Sequence, residues 1–361
     1  MKIILAISSL GNGGAEKLVV ELANELSLNS DIDLISFKPI DDDMLPPRYL
    51  SNKVHLKSLN KKKGFDFRVI WKLFCLLKKN KPDVVHLHLN MPLLYFLPII
   101  PFFTSIKFVF TIHSAFETHA FFFKKLNKIY FYKRVKNICL TNSIYDKFSQ
   151  SFPKLDFNVI ENGIKQKIDS TDDLIVKELL STKDQYNKLI LFVGRLSYAK
   201  NIPLLLDVFG DELFNDIKLL IIGDGDTILK KKITQLSNKT KNRIQYLGKK
   251  SNVLQYMNIA DALILTSRNE GLPVVILEAL SAGLPIISTP VGGIPDVMVN
   301  MRNGILSEGV QNNDIIKAVN KFKSLEKHQI EKIKQNNIKD FNQRFSIQTC
   351  ALNHLNLYNQ P

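Results

Sequence analysis

Apolar positions along the chain follow one pattern that runs through twice. Lys2–Ser8 holds five consecutive apolar residues before small polar residues and glycine, which predicts a buried strand ending in a turn. Ala15–Leu26 places Leu18, Val19, Leu22, Ala23 and Leu26 at helical spacing, and Ile32–Phe37 reads as the next strand. A strand–turn–helix–strand opening predicts a parallel, doubly wound sheet. Val84–Leu87, Phe108–Ile112, Ile138–Thr141 and Asn158–Ile160 continue it. The pattern then restarts. Leu189–Val193, Lys218–Ile222, Ile244–Tyr246, Ala262–Leu265 and Pro285–Ser288 read as strands with helices between them, the first near Pro203–Phe209. The polar stretch from 164 to 188 joins the two halves. The charged run Lys321–Lys339 reads as one helix, and Phe341–Tyr358 as a last one, with Phe345, Ile347, Leu352, Leu355 and Leu357 on an apolar face.

The chain has 361 residues, 45% apolar and 23% charged, which excludes a disordered or collagen-like polypeptide and suits two domains. The spread-out cysteines, Cys75, Cys139 and Cys350, argue against a disulfide scaffold or zinc ribbon and for a reducing compartment. The opening apolar run is too short for a signal-peptide core. Val84–Ile106 carries no formal charge, but His86, His88, Asn90 and three prolines predict a strand, a helix and a loop rather than a membrane span.

Lys plus Arg is 49 and Asp plus Glu is 34, so the net charge is 49 − 34 = +15. The excess is uneven. Between Thr118 and Asn137 lie six cations, Lys124, Lys125 and Lys128 among them, with seven interleaved Phe, Tyr and Ile residues and no acid. Such a segment suits an anionic lipid surface or a solvated helix face. Nucleic acid is a third reading, but no nucleic-acid motif accompanies it.

Three stretches carry candidate chemistry. Gly11-Asn12-Gly13-Gly14-Ala15-Glu16 joins the first strand to the first helix, where glycine lets backbone amides approach a phosphate; a tight turn with no ligand is the alternative. A dinucleotide fingerprint would have Gly or Ala where Glu16 stands. Gly194–Asn201 follows the first strand of the second half and brings Arg195 and Lys200 to a strand's carboxyl end, where open α/β sheets bind ligands. Glu270-Gly271-Leu272-Pro273 leads into a helix, with Pro273 at its first position and Glu278 in its second turn. Amides around Gly271 and Leu272 can receive a phosphate or sugar hydroxyl, and the two carboxylates can accept hydroxyls. His86 and His88 alternate on a strand end without a third metal ligand in view. No G-x-S-x-G supports nucleophilic hydrolysis.

Taken together, these residues resemble glycosyltransferase family 4, whose members are retaining, nucleotide-sugar-dependent enzymes of the GT-B fold. Glu270 and Glu278 match its E-x7-E motif, and Gly194–Asn201 its G-R-L…K-N motif. Gly13–Glu16 matches its G-G-A-E, Val159–Ile164 its V-I-x-N-G-I, and Thr111-Ile112-His113 its T-x-H. Gly223-Asp224-Gly225 resembles the family's G-D-G turn, rather than the metal-binding D-x-D of another glycosyltransferase fold. Glu161, Asp296 and Lys165-Gln166 depart from the residues common at those positions.

The resemblance implies an α/β, GT-B architecture: two facing doubly wound, Rossmann-like domains with a cleft between, and a C-terminal helix crossing back. Residues 1–163 with 341–361 would bind the acceptor, and 164–340 the nucleotide sugar. Arg195 and Lys200 would hold the donor diphosphate, Glu278 the ribose, Glu270 and His113 the transferred sugar. Gly14, Gly223, Gly271, Leu272 and Pro273 would line the donor, while Gly13 and Asn162 belong to acceptor or hinge. No cofactor or metal is implied. The expected activity is transfer of a hexose or N-acetylhexosamine, with retention, from a UDP- or GDP-sugar to an oligosaccharide or lipid-linked acceptor. The setting would be the cytoplasmic membrane's inner face, during assembly of a capsule, O-antigen or lipopolysaccharide. An NAD(P)-dependent oxidoreductase would explain only the Gly11–Gly14 loop, and hydride transfer would reveal it. A non-catalytic sugar-nucleotide-binding protein is opposed by the intact Arg195, Lys200, Glu270 and Glu278.

Overall fold

The structure, a computed structural model, describes residues 1–11, 13–40, 49–113, 124, 130–166, 180–181 and 185–360. The chain divides into two compact units, Met1–Lys165 with Arg344–Pro361, and Gln166–Gln343.

The first unit is built on seven parallel strands in the order β3-β2-β1-β4-β5-β6-β7. They are β1 Lys2–Ile7, β2 Asp31–Ser36, β3 Val54–Ser58, β4 Val84–His88, β5 Lys107–Ile112, β6 Val135–Cys139 and β7 Phe157–Val159. The central strands are apolar on both faces because helices cover both. On one face α1 (Gly14–Leu26) buries Leu18, Val19, Leu22, Ala23 and Leu26. On the other, α2 (Phe67–Asn80) buries Val69, Leu73 and Leu77, and α3 (Asn90–Phe96) buries Leu93, Tyr95 and Phe96. The short helix α4 (Asn142–Ser151) follows β6, its Thr141 cap accepting from the Ile144 amide.

The second unit holds six parallel strands in the order β10-β9-β8-β11-β12-β13. They are β8 Lys188–Val193, β9 Ile217–Ile222, β10 Ile244–Gly248, β11 Ala262–Leu265, β12 Ile286–Ser288 and β13 Gly304–Leu306. Its helices are α5 Ile202–Gly210, α6 Thr227–Lys239, α7 Val253–Ile259, α8 Val274–Ser281, α9 Ile294–Val297, α10 Asn312–Lys323 and α11 Lys327–Asp340. Each sheet reverses its winding once, between β1 and β4 in the first unit and between β8 and β11 in the second, and these are the switch points where such sheets take ligands.

The C-terminal segment returns to the first unit as α12 (Ile347–Asn359), which lays Ile347, Cys350, Ala351, Leu357 and Tyr358 into the core that α1 covers. A short parallel bridge fixes it: the Ile164 amide donates to the Phe345 carbonyl at 3.0 Å, and the Ile347 amide to the Ile164 carbonyl at 3.0 Å. Glu161, at a position where the family often has proline, forms an ion pair with Arg344 of this returning segment.

Three expectations need correction. The run Lys321–Lys339 is not one helix but parts of α10 and α11, because Ser324 ends the first and a Glu326–Gln329 capping box starts the second. The last helix does not run unbroken from Phe341. Phe341–Phe345 forms a wider π turn, and Ser346 then caps α12 by accepting from the Thr349 amide at 3.2 Å. Pro273 sits at the cap of α8, one residue before the first helical position.

Candidate active site

In the second unit, the loops that follow β8, β9, β11 and β12 are tied to one another at the carboxyl edge of the sheet. The Gly194 amide donates to the Ile222 carbonyl at 3.0 Å and the Leu196 amide to the Asp224 carbonyl at 2.9 Å. Gly223, at φ 150°, lies so close that a Cβ there would stand 1.9 Å from the Gly194 carbonyl oxygen. On the other side of the switch point, the Arg268 amide donates to the Ala199 carbonyl at 2.8 Å, and the Thr266 hydroxyl to the Lys200 carbonyl at 3.1 Å. Asn201 closes the β8 loop in a left-handed conformation, φ 53°, before α5 begins.

These ties set Lys200 against Glu270. The Lys200 Nζ lies 2.5 Å from the Glu270 Oε1, and the Ser267 hydroxyl donates to the same oxygen at 2.6 Å. Both side chains are mostly buried, 19% and 11% exposed, so the pair is weakly screened by solvent. Its backbone is equally constrained. Gly292, at φ 59°, presses on the Glu270 carbonyl so closely that a Cβ would come within 1.7 Å of its oxygen. The Gly293 amide donates to the Gly271 carbonyl at 3.0 Å, and the Thr289 hydroxyl to the Ser267 carbonyl at 2.7 Å. Gly271, Leu272 and Pro273 are buried beneath this network, and Pro273 caps α8 without a side-chain acceptor for the helix amides. Glu278 is half-buried in the second turn of α8, and Arg195 is exposed in the β8 loop.

The acids of Asp224-Gly225-Asp226 have structural work. Asp224 forms an ion pair with Lys230, and Asp226 caps α6 by accepting from the Ile228 amide at 2.8 Å and the Leu229 amide at 3.1 Å. Both therefore stabilise the turn around Gly223 and the helix after it.

In the first unit, Gly13 caps α1 and Gly14 is its first residue. The Glu16 carboxylate folds back over this cap, where a Cβ on Gly13 would stand 2.3 Å from its Oε2. His113 follows the end of β5 and shares a 3.0 Å hydrogen bond, Nε2 to Nδ1, with His88 at the end of β4. His88 is fully buried and its Nε2 has no hydrogen-bond partner among the described residues. An orphaned N–H is rarer than an orphaned lone pair, so the favoured tautomer has His88 Nδ1–H donating to the His113 Nε2. His86 packs against His88 with ring centres 4.0 Å apart and the rings tilted by 37°, and it is held by the Tyr358 hydroxyl at 2.6 Å and the Thr111 hydroxyl at 2.7 Å. Burial pushes His86 and His88 well below the usual histidine pKa, helped by the neighbouring histidines. Asn162 is buried in the junction that the C-terminal segment grips. Lys124 is exposed; Asn12, Lys125 and Lys128 lie outside the described residues.

Both units match known sequence families. The description "Glycosyl transferases group 1" fits residues 179–340, and "Glycosyltransferase Family 4" fits residues 12–167. The chain belongs to glycosyltransferase family 4. Among relatives of this glycosyltransferase, an uncharacterized glycosyltransferase of Methanocaldococcus jannaschii (MJ1178) is 28% identical over 77% of the chain and 75% of its own length. The amylovoran biosynthesis glycosyltransferase AmsD of Erwinia amylovora is 24% identical over 80% of each. The crystal structure of Anabaena Alr3699/HepE in complex with UDP and glucose superposes with a TM-score of 0.82 at 19% identity, covering 100% of both chains. The two parallel-sheet units of this glycosyltransferase are thus of the GT-B type.

Within the glycosyltransferase, Lys200, Glu270, Gly223 and Gly271–Pro273 come together in the second unit, with Arg195 and Glu278 on the same loop and helix. His113, Gly13, Gly14 and Asn162 belong to the first unit. Sequence reading passed over Ser267 and Thr266, whose position just after a buried strand was their one signal. The sequence offers no metal role for His86 and His88 for want of a third ligand, and it gives no sign of the hydrogen bonds they make within the protein.

Proposed function

We propose that this glycosyltransferase transfers a hexose or N-acetylhexosamine, with retention, from a nucleotide diphosphate sugar to an oligosaccharide or lipid-linked acceptor. A UDP-sugar is the preferred donor, and HepE's complex with UDP and glucose supports that choice. The observation that carries the proposal is the Lys200–Glu270–Ser267 cluster beside the second unit's switch point. A diphosphate oxygen drawing Lys200 away leaves Glu270 free to accept hydroxyls of the transferred sugar. Lys200 and Arg195 then meet the charge that grows on the leaving diphosphate, and Glu278 accepts the ribose hydroxyls. His113 contacts the sugar near its reacting carbon. Fixed cations and amides do this work without a metal, and the two substrates react on one face of the sugar because they are held together.

The name of AmsD supports a setting in polysaccharide assembly; the proposal extends this to a surface polysaccharide made at the inner face of the cytoplasmic membrane. The test is a panel of nucleotide sugars with EDTA present, read as UDP or GDP release and as the anomeric configuration of the product by NMR. Release that requires a divalent metal, or an inverted anomeric centre, refutes the corresponding part of the mechanism.

A further inference from the structure

One side of α2 is only partly taken up by the core: Ile70 and Phe74 pack against its edge, while Phe67 and Trp71 stand out into solvent. Val69, Leu73 and Leu77 face inward at helical spacing, but Phe67, Ile70, Trp71 and Phe74 repeat the same spacing on another side. Phe67 is 76% exposed and Trp71 68% exposed, and Phe102, from the turn after α3, is 69% exposed beside them. With Ile99 these side chains line a groove of about 420 Å³ to which no polar residue contributes among the described residues. An exposed aromatic cluster of this kind marks an interaction site.

The surroundings identify the partner. Residues 61–81 contain eight cations (Lys61, Lys62, Lys63, Arg68, Lys72, Lys78, Lys79 and Lys81) and a single acid, Asp66. That acid is held by Arg68 through hydrogen bonds of 2.9 and 2.8 Å, so it adds no free negative charge to the rim. Arg134 stands at the other edge, donating to the Ile100 and Phe103 carbonyls. An apolar groove offers nothing for bases to hydrogen-bond, while exposed aromatic side chains on a helix whose own sequence and flanks are rich in cations match acyl chains beneath anionic headgroups.

We propose that the α2 face, with Phe67, Trp71 and Phe102 inserted and the 61–81 cations on headgroups, docks this protein on an anionic lipid bilayer. The proposal deepens the membrane setting given above. It rests on residues other than Lys124, Lys125 and Lys128.

Trp71 is the chain's one tryptophan, so the surface reports on itself. The full chain is mixed with vesicles of 30% phosphatidylglycerol in phosphatidylcholine, or of phosphatidylcholine alone, and followed by co-sedimentation and Trp71 emission. The expected result is binding to the anionic vesicles only, weakened by salt, with a blue shift of Trp71 and its quenching by brominated acyl chains. Phe67→Ser with Phe102→Ser should lower the partition coefficient about tenfold or more, since each ring loses its apolar burial, without changing the melting temperature. Donor hydrolysis by that variant should equal that of the parent. Vesicle binding with Trp71 unmoved places the contact elsewhere and overturns the proposal. So does a dimer, or binding to single-stranded RNA, that shields Trp71 while vesicles do not. An unmodified chain that binds vesicles yet cleaves no nucleotide sugar refutes the transfer reading and leaves this one standing.

Discussion

Lys200 and Glu270 are separated by 70 residues, yet they touch, and the proposed chemistry turns on that pair. Each was readable as a charged residue in a loop beyond a buried strand. That they touch was not, because it depends on β8 and β11 being neighbours across the switch point, and pairing between strands leaves no mark in either strand's composition. Lys200→Ala should lower kcat/KM about 10²-fold or more by removing the charge aimed at the leaving group, and Lys200→Arg should restore part of it. Steady-state kinetics with a competent donor checks this, and unchanged turnover in Lys200→Ala rejects the role. Ser267→Ala tests the support. It removes one hydrogen bond to the Glu270 carboxylate, so about tenfold in kcat/KM is expected, with nucleotide product inhibition nearly unchanged because the hydroxyl is spent on Glu270, which the proposal assigns to the transferred sugar.

At the scale of elements, legibility followed burial. Strands such as β1 and β9 are apolar apart from Lys2 and Lys218 because both faces are covered, and they stood out as short runs. β3 alternates between buried and exposed at a sheet edge, too short a pattern to register. Helix α2 was missed for the opposite reason: apolar residues on two sides blur its period. The α10–α11 break was hidden because a charged helix shows little apolar spacing, and only the caps at Ser324 and Glu326 reveal it. Family motifs marked the junction at Gly163 without explaining it. A Cβ there would meet the Ser346 carbonyl oxygen at 2.4 Å and the Cys350 Cβ at 2.5 Å, so only glycine lets the returning segment lie down. Gly163→Ala should therefore destabilise the first unit by about 1–3 kcal/mol, the usual cost of overpacking. A lowered melting temperature, with earlier proteolytic loss of α12, is the expected result, and an unchanged melt contradicts this account of the junction.

For the whole molecule, the two units differ in how acid reaches them. The first contains His86, His88 and His354, all buried, whereas the second contains only the exposed His328. Burial lowers His354 to about 4 and holds His86 and His88 well below 6.5, so each is neutral when folded. Once unfolded, each takes up a proton near its ordinary value. Between about 6.5 and about 4 the unfolded chain thus binds more protons than the folded one, and stability falls as pH falls, by up to about 1.4 kcal/mol per pH unit for each histidine. Among the second unit's described residues, the shifted groups that titrate in acid are the carboxylates of Asp216 and Asp224. At Asp216 burial works upward, but hydrogen bonds from Lys323 and Asn187 outweigh it; at Asp224 the Lys230 ammonium pulls the pKa down. Their stabilising effect begins to be lost only below the ordinary carboxylate range, near 4. Lowering pH from 7 to 5 should therefore loosen the first unit ahead of the second. Hydrogen exchange read by mass spectrometry should show faster exchange in peptides of β4, β5 and α12 at pH 5, after correction for intrinsic rates, while peptides of β8 and β9 keep their protection. Equal loss in both units would mean that the histidine cluster does not govern the acid response, and His354→Leu, which removes one titrating ring, should flatten the pH dependence of the first unit if it does.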